Sequence, residues 1–141
     1  MSDQPHTPGP WRWEINRQSK SIQLVGGRPQ GDKTVMDFER WGMHSAAPRF
    51  NAAIVGNEFN IMYAPQDHTG WVQPFPGRGH HAKWCADVDH PDARLIAAAP
   101  ELLHALRHLM HNIKASGKRI DLGLAPEMAA AAIAKATGET A

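Results

Sequence analysis

DHPDARLIAAAPELLHALRHLMHNIK, residues 89–114, decides the fold. Leu95, Ile96, Ala99, Leu102, Leu103, Leu106, Leu109, Met110 and Ile113 recur at steps of three and four, with adjacent pairs. That spacing lines one face of an α-helix. The phase carries through Pro100. Proline removes a backbone donor and crowds the preceding turn, so the pattern predicts a kink or break there. Pro91 and Pro100 each suit a first helical turn, and Asp89 and Asp92 suit a capped start. The expectation is a short helix, Pro91 to Ala99, leading into a longer one, Pro100 to Lys114.

Outward to the C-terminal side, Ser116-Gly117 is a helix stop and Arg119 to Leu124 a connector. Pro126 to Thr137 (PEMAAAAIAKAT) reads as a second, alanine-rich helix closed by Gly138. Outward to the N-terminal side, His80 to Asp87 reads as a short helix, and Ala64 to Gly79 as a long ordered loop rich in proline and glycine. Residues 1–10 read as an extended lead-in docked by Trp11 and Trp13. Trp11, Trp13 and Ile15 alternate with Arg12 and Glu14, the period of a strand. Ser21 to Val25 follows as a strand after a turn at Asn16 to Lys20, and Gly26-Gly27 ends it. Thr34 to Trp41 alternates again without a clean face, as in a strand covered on both sides or lying at an edge. Ser45 to Pro48 reads as a turn, Arg49 to Val55 as a strand or helical turn, and Phe59 to Tyr63 as a short apolar segment. These elements predict an α+β fold: a small antiparallel sheet in the N-terminal half and a C-terminal helical hairpin packed on one face of it. One domain, residues 1–141, is expected: lead-in 1–10, strands 11–63, loop 64–88 and hairpin 89–138.

A chain of 141 residues is long enough to bury a core of its own. A formal net charge of +1 does not suggest nucleic acid or anionic lipid as a partner. One cysteine, Cys85, excludes an internal disulfide. No apolar run approaches a membrane span, and MSDQPHTPGPW has no basic segment followed by an apolar one, so neither membrane nor signal peptide is expected.

Four segments carry a family resemblance. They are His6-Thr7-Pro8-Gly9-Pro10-Trp11, Val35 to Met43, Gly79-His80-His81-Ala82-Lys83-Trp84, and His90 to Leu103. Together they resemble a widespread group of small proteins encoded by phages and prophages of proteobacteria, which share an HTPGPW-like start and a DARLIAAAPELLEAL-like helix. His104 stands where that group more often has glutamate. The resemblance implies an accessory phage protein acting in the host cytoplasm, and it implies no catalytic residues.

Three constellations bear on chemistry. His104, His108 and His111 lie opposite the leucines, where a pair four apart can share a metal. With Glu101, Arg107 and Lys114 beside them they read instead as a solvent-facing stripe. His80, His81, Asp87, Asp89, His90 and Asp92 form a second cluster, without the spacing of a known metal motif. Its favoured reading is a helix cap and a docked loop, so no metal and no cofactor is expected.

The third constellation sets arginines and histidines beside aromatics: Arg40, Trp41, Arg49, Trp71, Arg78, His80, His81 and Trp84. A guanidinium holds phosphate and an indole stacks on a base, so these residues are the candidate ligand-binding set. No catalytic set accompanies them. The leading expectation is a non-enzymatic binding protein that captures a nucleotide-type host immune signal. One alternative is an inhibitor of a host defence protein, using the same aromatics as anchors. Another is a small metal-dependent phosphoester hydrolase using the cluster from His80 to Asp92. The tryptophan count and the alanine-rich last helix are compatible with a two-fold homodimer, the commonest oligomer symmetry, but the sequence does not fix the stoichiometry.

Overall fold

The structure is a computed structural model, and it describes residues 6–40, 46–53, 60–78, 80, 86–117 and 122–138. The chain divides into two compact units, residues 1–96 and 97–141. Its elements are those of an α+β protein, with the strands first and the helices last.

The first unit holds a five-stranded antiparallel meander in the order β1-β2-β3-β4-β5. The strands are β1 (Trp11–Asn16), β2 (Ser21–Gly26), β3 (Lys33–Arg40), β4 (Ala46–Asn51) and β5 (Met62–Tyr63). The turn between β1 and β2 is written in its residues. Asn16 Oδ1 accepts the N–H groups of Gln18 at 3.0 Å and Ser19 at 3.1 Å. This side-chain turn replaces backbone bonds the hairpin end lacks. The next turn is braced by Arg12, which donates to Gly27 O at 2.7 Å and pairs with Glu14 and Asp32. The register of β2 on β3 shifts between Leu24 and Val25. Such a bulge inserts one extra residue, here Val35, and re-aims the side chains beside it, and Leu24, Val25 and Val35 are all buried.

The reading of Ser45 to Pro48 as a turn is corrected. Ser45 lies outside the described residues, and Ala46, Ala47 and Pro48 belong to β4, with Pro48 opposite Phe38 of β3. Proline is tolerated in a strand where no partner needs its N–H. Here β5 pairs only with Phe50 and Asn51, so among the described residues the second edge of β4 has no partner strand at Pro48. The segment from Ala64 is also more ordered than a loop. It forms 3-10 turns at Pro65–Asp67 and Thr69–Trp71, then β6 (Val72–Pro74). The short helix expected to end at Asp87 is a strand there instead, β7 (Ala86–Val88), which pairs with β6. Residues 81–85 lie outside the described residues.

Helix α1 runs without interruption from Pro91 to Ser116, so the expected break at Pro100 does not occur. Proline removes a single N–H from a helix of this length. The alanines before it and the Glu-Leu-Leu after it are strong helix formers that carry propagation across the gap. Helix α2 is Ala125–Thr137, closed by Gly138 at φ 73°, a left-handed cap suited to glycine. No helix among the described residues is long and apolar enough to cross a membrane.

Candidate functional site

Cross-strand register builds one apolar row across the whole sheet. Trp13 pairs with Leu24, Leu24 with Met36, Met36 with Phe50, and Phe50 with Tyr63. Paired residues project to the same side, so all five share a face. Ile15 and Ile22 form the next pair on that face, and Phe38 extends it beside Met36.

One end of this face is covered within the first unit. Phe50 meets the His90 ring at 5.2 Å. Tyr63 lies edge-on to His68 and Trp71, and His68 stacks on Trp71 at 4.0 Å. Trp71 in turn abuts His90 edge-on at 4.6 Å. The other end is left uncovered by the rest of the first unit. Trp13 is 56% exposed and Ile15 67%, and Ile22 and Phe38 are exposed as well. A shallow groove lined by Glu14, Ile15, Asn16, Arg17, Ser21 and Gln23 adjoins them at the hairpin end. An indole, a phenyl ring and two isoleucines on one side of a sheet form the kind of contiguous patch that marks an interaction surface.

Beneath the covered end lies a buried polar chain. Asp92 accepts the backbone N–H and the hydroxyl of Thr7, each at 2.6 Å. His90 Nδ1 accepts the Asp92 N–H at 3.1 Å, so His90, the residue before Pro91, caps α1 with its ring. With Nδ1 an acceptor, Nε2 carries the proton and donates to Asn51 O at 2.9 Å. Burial holds the His90 imidazole below its ordinary pKa, against the opposing pull of the Asn51 carbonyl and the Asp92 carboxylate. The Asn51 side chain closes the network by donating to Thr34 O and Asn60 Oδ1 and accepting from the Ala53 and Ile61 N–H groups. Each group has a structural partner, and the chain ties the lead-in, β4 and α1 together.

The residues expected to bind a ligand are dispersed. Strand alternation puts Arg40 on the face of Phe38 and Arg49 on the opposite face. Arg49 donates twice to Asp37, at 2.8 and 2.7 Å, and this hydrogen bonding raises the guanidinium pKa further. Trp71 is buried in the aromatic stack. Arg78 and His80 are exposed on the segment after β6. Trp41, His81 and Trp84 lie outside the described residues. The acidic members of the second cluster are likewise engaged: Asp92 with Thr7, Asp89 with Arg94, and Asp87 with the Val88 N–H. His104 and His108 stack on each other along α1 with their ring centres 6.4 Å apart. Among the described residues no group of three or more histidine, cysteine or carboxylate side chains is placed to hold a metal ion.

The sequence reads Trp13 as a docking contact of the lead-in, yet Trp13 is 56% exposed. Alternation reveals which residues share a face. It does not reveal whether anything covers them.

A match to the family described as Salmonella phage P22 protein Y8K6 spans residues 1–140. No curated protein and no solved structure matches the chain.

Proposed function

The chain belongs to this phage protein family, and from that premise we propose that it is a non-enzymatic accessory protein that inhibits a host defence protein. The contact surface is the open sheet face around Trp13. The observation that carries the reading is the exposure of Trp13, Ile15, Ile22 and Phe38 on one side of a paired sheet. Tryptophan is enriched among the residues that dominate protein interfaces, because a large rigid ring is desolvated at little entropic cost. Charged groups lie mostly on the opposite side of the strands, where Arg12 and Arg49 are paired with Glu14, Asp32 and Asp37. A face whose exposed side chains are chiefly apolar, with Arg40 beyond Phe38 at one margin, suits a protein surface better than a phosphate.

This differs from the nucleotide-capture reading in its residues as well as its partner. Capture of a nucleotide-type signal would draw on Arg40, Arg78 and His80, since Arg49 and Trp71 are engaged within the fold. The hydrolase reading would need ligand atoms from Asp89 and Asp92, which already hold Arg94 and Thr7.

The test is affinity purification from infected or lysogenic host cells, followed by titration of the captured protein, purified, against wild type and Trp13→Ala. The reading expects a stoichiometric complex whose Kd rises by about 30-fold or more in the variant, the scale of an interface anchor. An unchanged Kd removes Trp13 from the contact. Nucleotide retained on the purified protein, lost in Arg40→Ala and Arg78→Ala, replaces this reading with sequestration.

A further inference from the structure

The second unit is helical, and its own two helical segments leave most of its apolar side chains uncovered. Among its described residues, 97–117 and 122–138, none is buried. Leu109 is 56% exposed and Met128 69%, and Leu102 and Leu124 are exposed as well. Helix α2 has 13 residues and no buried side chain. A helix of that length is marginal by itself in water, since most helical stability in proteins comes from packing an apolar face. The unit therefore needs a surface to cover these side chains.

The pattern of α1 says what that surface is. Leu95, Ala99, Leu102, Leu106, Leu109 and Ile113 are spaced alternately by four and three, the seam of a heptad repeat. Both flanks of the seam are apolar too, with Ile96, Leu103 and Met110 on one side and Ala98 and Ala105 on the other. Every charged residue and histidine between Glu101 and Lys114 falls on the remaining outer positions. An inward arc this wide is that of a bundle helix meeting more than one neighbour. The chain itself supplies one further helix, α2.

We propose that α1 and α2 associate with the same helices of a second copy to form a four-helix, two-fold assembly. The seam is self-complementary. A two-fold axis between Arg107 and His108, with the two α1 helices antiparallel, sets Leu106 against Leu109 and Leu102 against Ile113 of the second copy. This is the reciprocal pairing an isologous interface requires. The extent is also right. At 1.5 Å per residue the facing part of α1, residues 99–116, is about 27 Å long and α2 about 20 Å, and an apolar stripe about 10 Å wide along both covers roughly 470 Å² per copy. A standard stable interface buries about 800 Å² per partner, of the same order. A second copy is present wherever the protein is made, so helices that depend on it are never left without a cover. The assembly would carry two Trp13 faces, so it goes beyond the single contact proposed above.

The test is sedimentation equilibrium or light scattering of the untagged full chain from about 1 to 100 μM. The expected mass is twice the 15.5 kDa of one chain. Leu102→Glu with Leu109→Glu is expected to give monomer, and the milder Leu109→Ala to raise the dissociation constant at least tenfold. Trp13→Ala is expected to remain dimeric. A wild-type monomer across the range overturns the proposal. So does a dimer in which Leu109→Ala leaves the dissociation constant unchanged, or one that Trp13→Ala dissociates.

Discussion

His90 donates its Nε2 proton to the main-chain oxygen of Asn51, 2.9 Å away, while its other ring nitrogen accepts from the Asp92 N–H. The imidazole is therefore held neutral, in one tautomer, between a strand end and a helix start, at 1% exposure. A proton added at Nδ1 would face the Asp92 N–H and have to displace it.

The sign of the pH dependence follows. The folded pKa of His90 is lowered, so the unfolded chain binds this proton more readily than the folded one. Stability from His90 is complete above the ordinary histidine pKa of about 6.5 and declines as pH falls below it. Thermal melts between pH 7.5 and 5 should show that decline, and His90→Gln should flatten it. A slope unchanged in the variant would place the titration elsewhere.

Thr7→Val removes the hydroxyl that reaches the buried Asp92 carboxylate. The expected loss is about 1–3 kcal/mol, the cost of leaving one acceptor of a buried charge unsatisfied. Asp92→Ala should cost more, since two donors of Thr7 and the first turn of α1 lose their partner. In urea unfolding the double variant should lose less than the sum of the two single losses, because both break one interaction.

Gly26→Ala is expected to destabilise by about 1–3 kcal/mol through overpacking. A Cβ there would lie 2.6 Å from the Pro8 carbonyl oxygen and 2.9 Å from the Trp11 ring. Those atoms belong to the end of the lead-in and the first residue of β1, so hydrogen exchange near Trp11 should rise before that of β3.

Arg49→Ala should cost at most about 1 kcal/mol, because its pair with Asp37 is partly exposed and screened by salt. The loss should shrink at high ionic strength. A much larger effect, or loss of a bound anion, would give Arg49 a role beyond bracing β3 against β4.

The strands and helices were largely legible because their signals are local. Alternation marked β1 and β2, and the leucine period marked α1. The turn read at Pro48 and the break read at Pro100 share a cause: each proline was judged by what it cannot do, while strand pairing at Pro48 and strong helix formers around Pro100 carried the element across it. The pair β6 and β7 lies across residues 75–85, and short strands of three residues carry too little pattern to announce such pairing. The candidate surface was half legible. That Trp13 and Ile15 share a face could be read. Their exposure could not, because it depends on where the His68–Trp71 stack comes to rest.

The bond between Thr7 and Asp92 joins residues 85 positions apart. A chain made from its N-terminus meets that distance as time. All five strands have been synthesised before Asp92 is added, so any part of the meander that assembles by then does so while the lead-in lacks its anchor. The fastening of the lead-in ahead of β1 becomes available only when the first turn of α1 has been made. A ribosome stalled before residue 92 would carry a sheet whose N-terminal lead-in is still untethered.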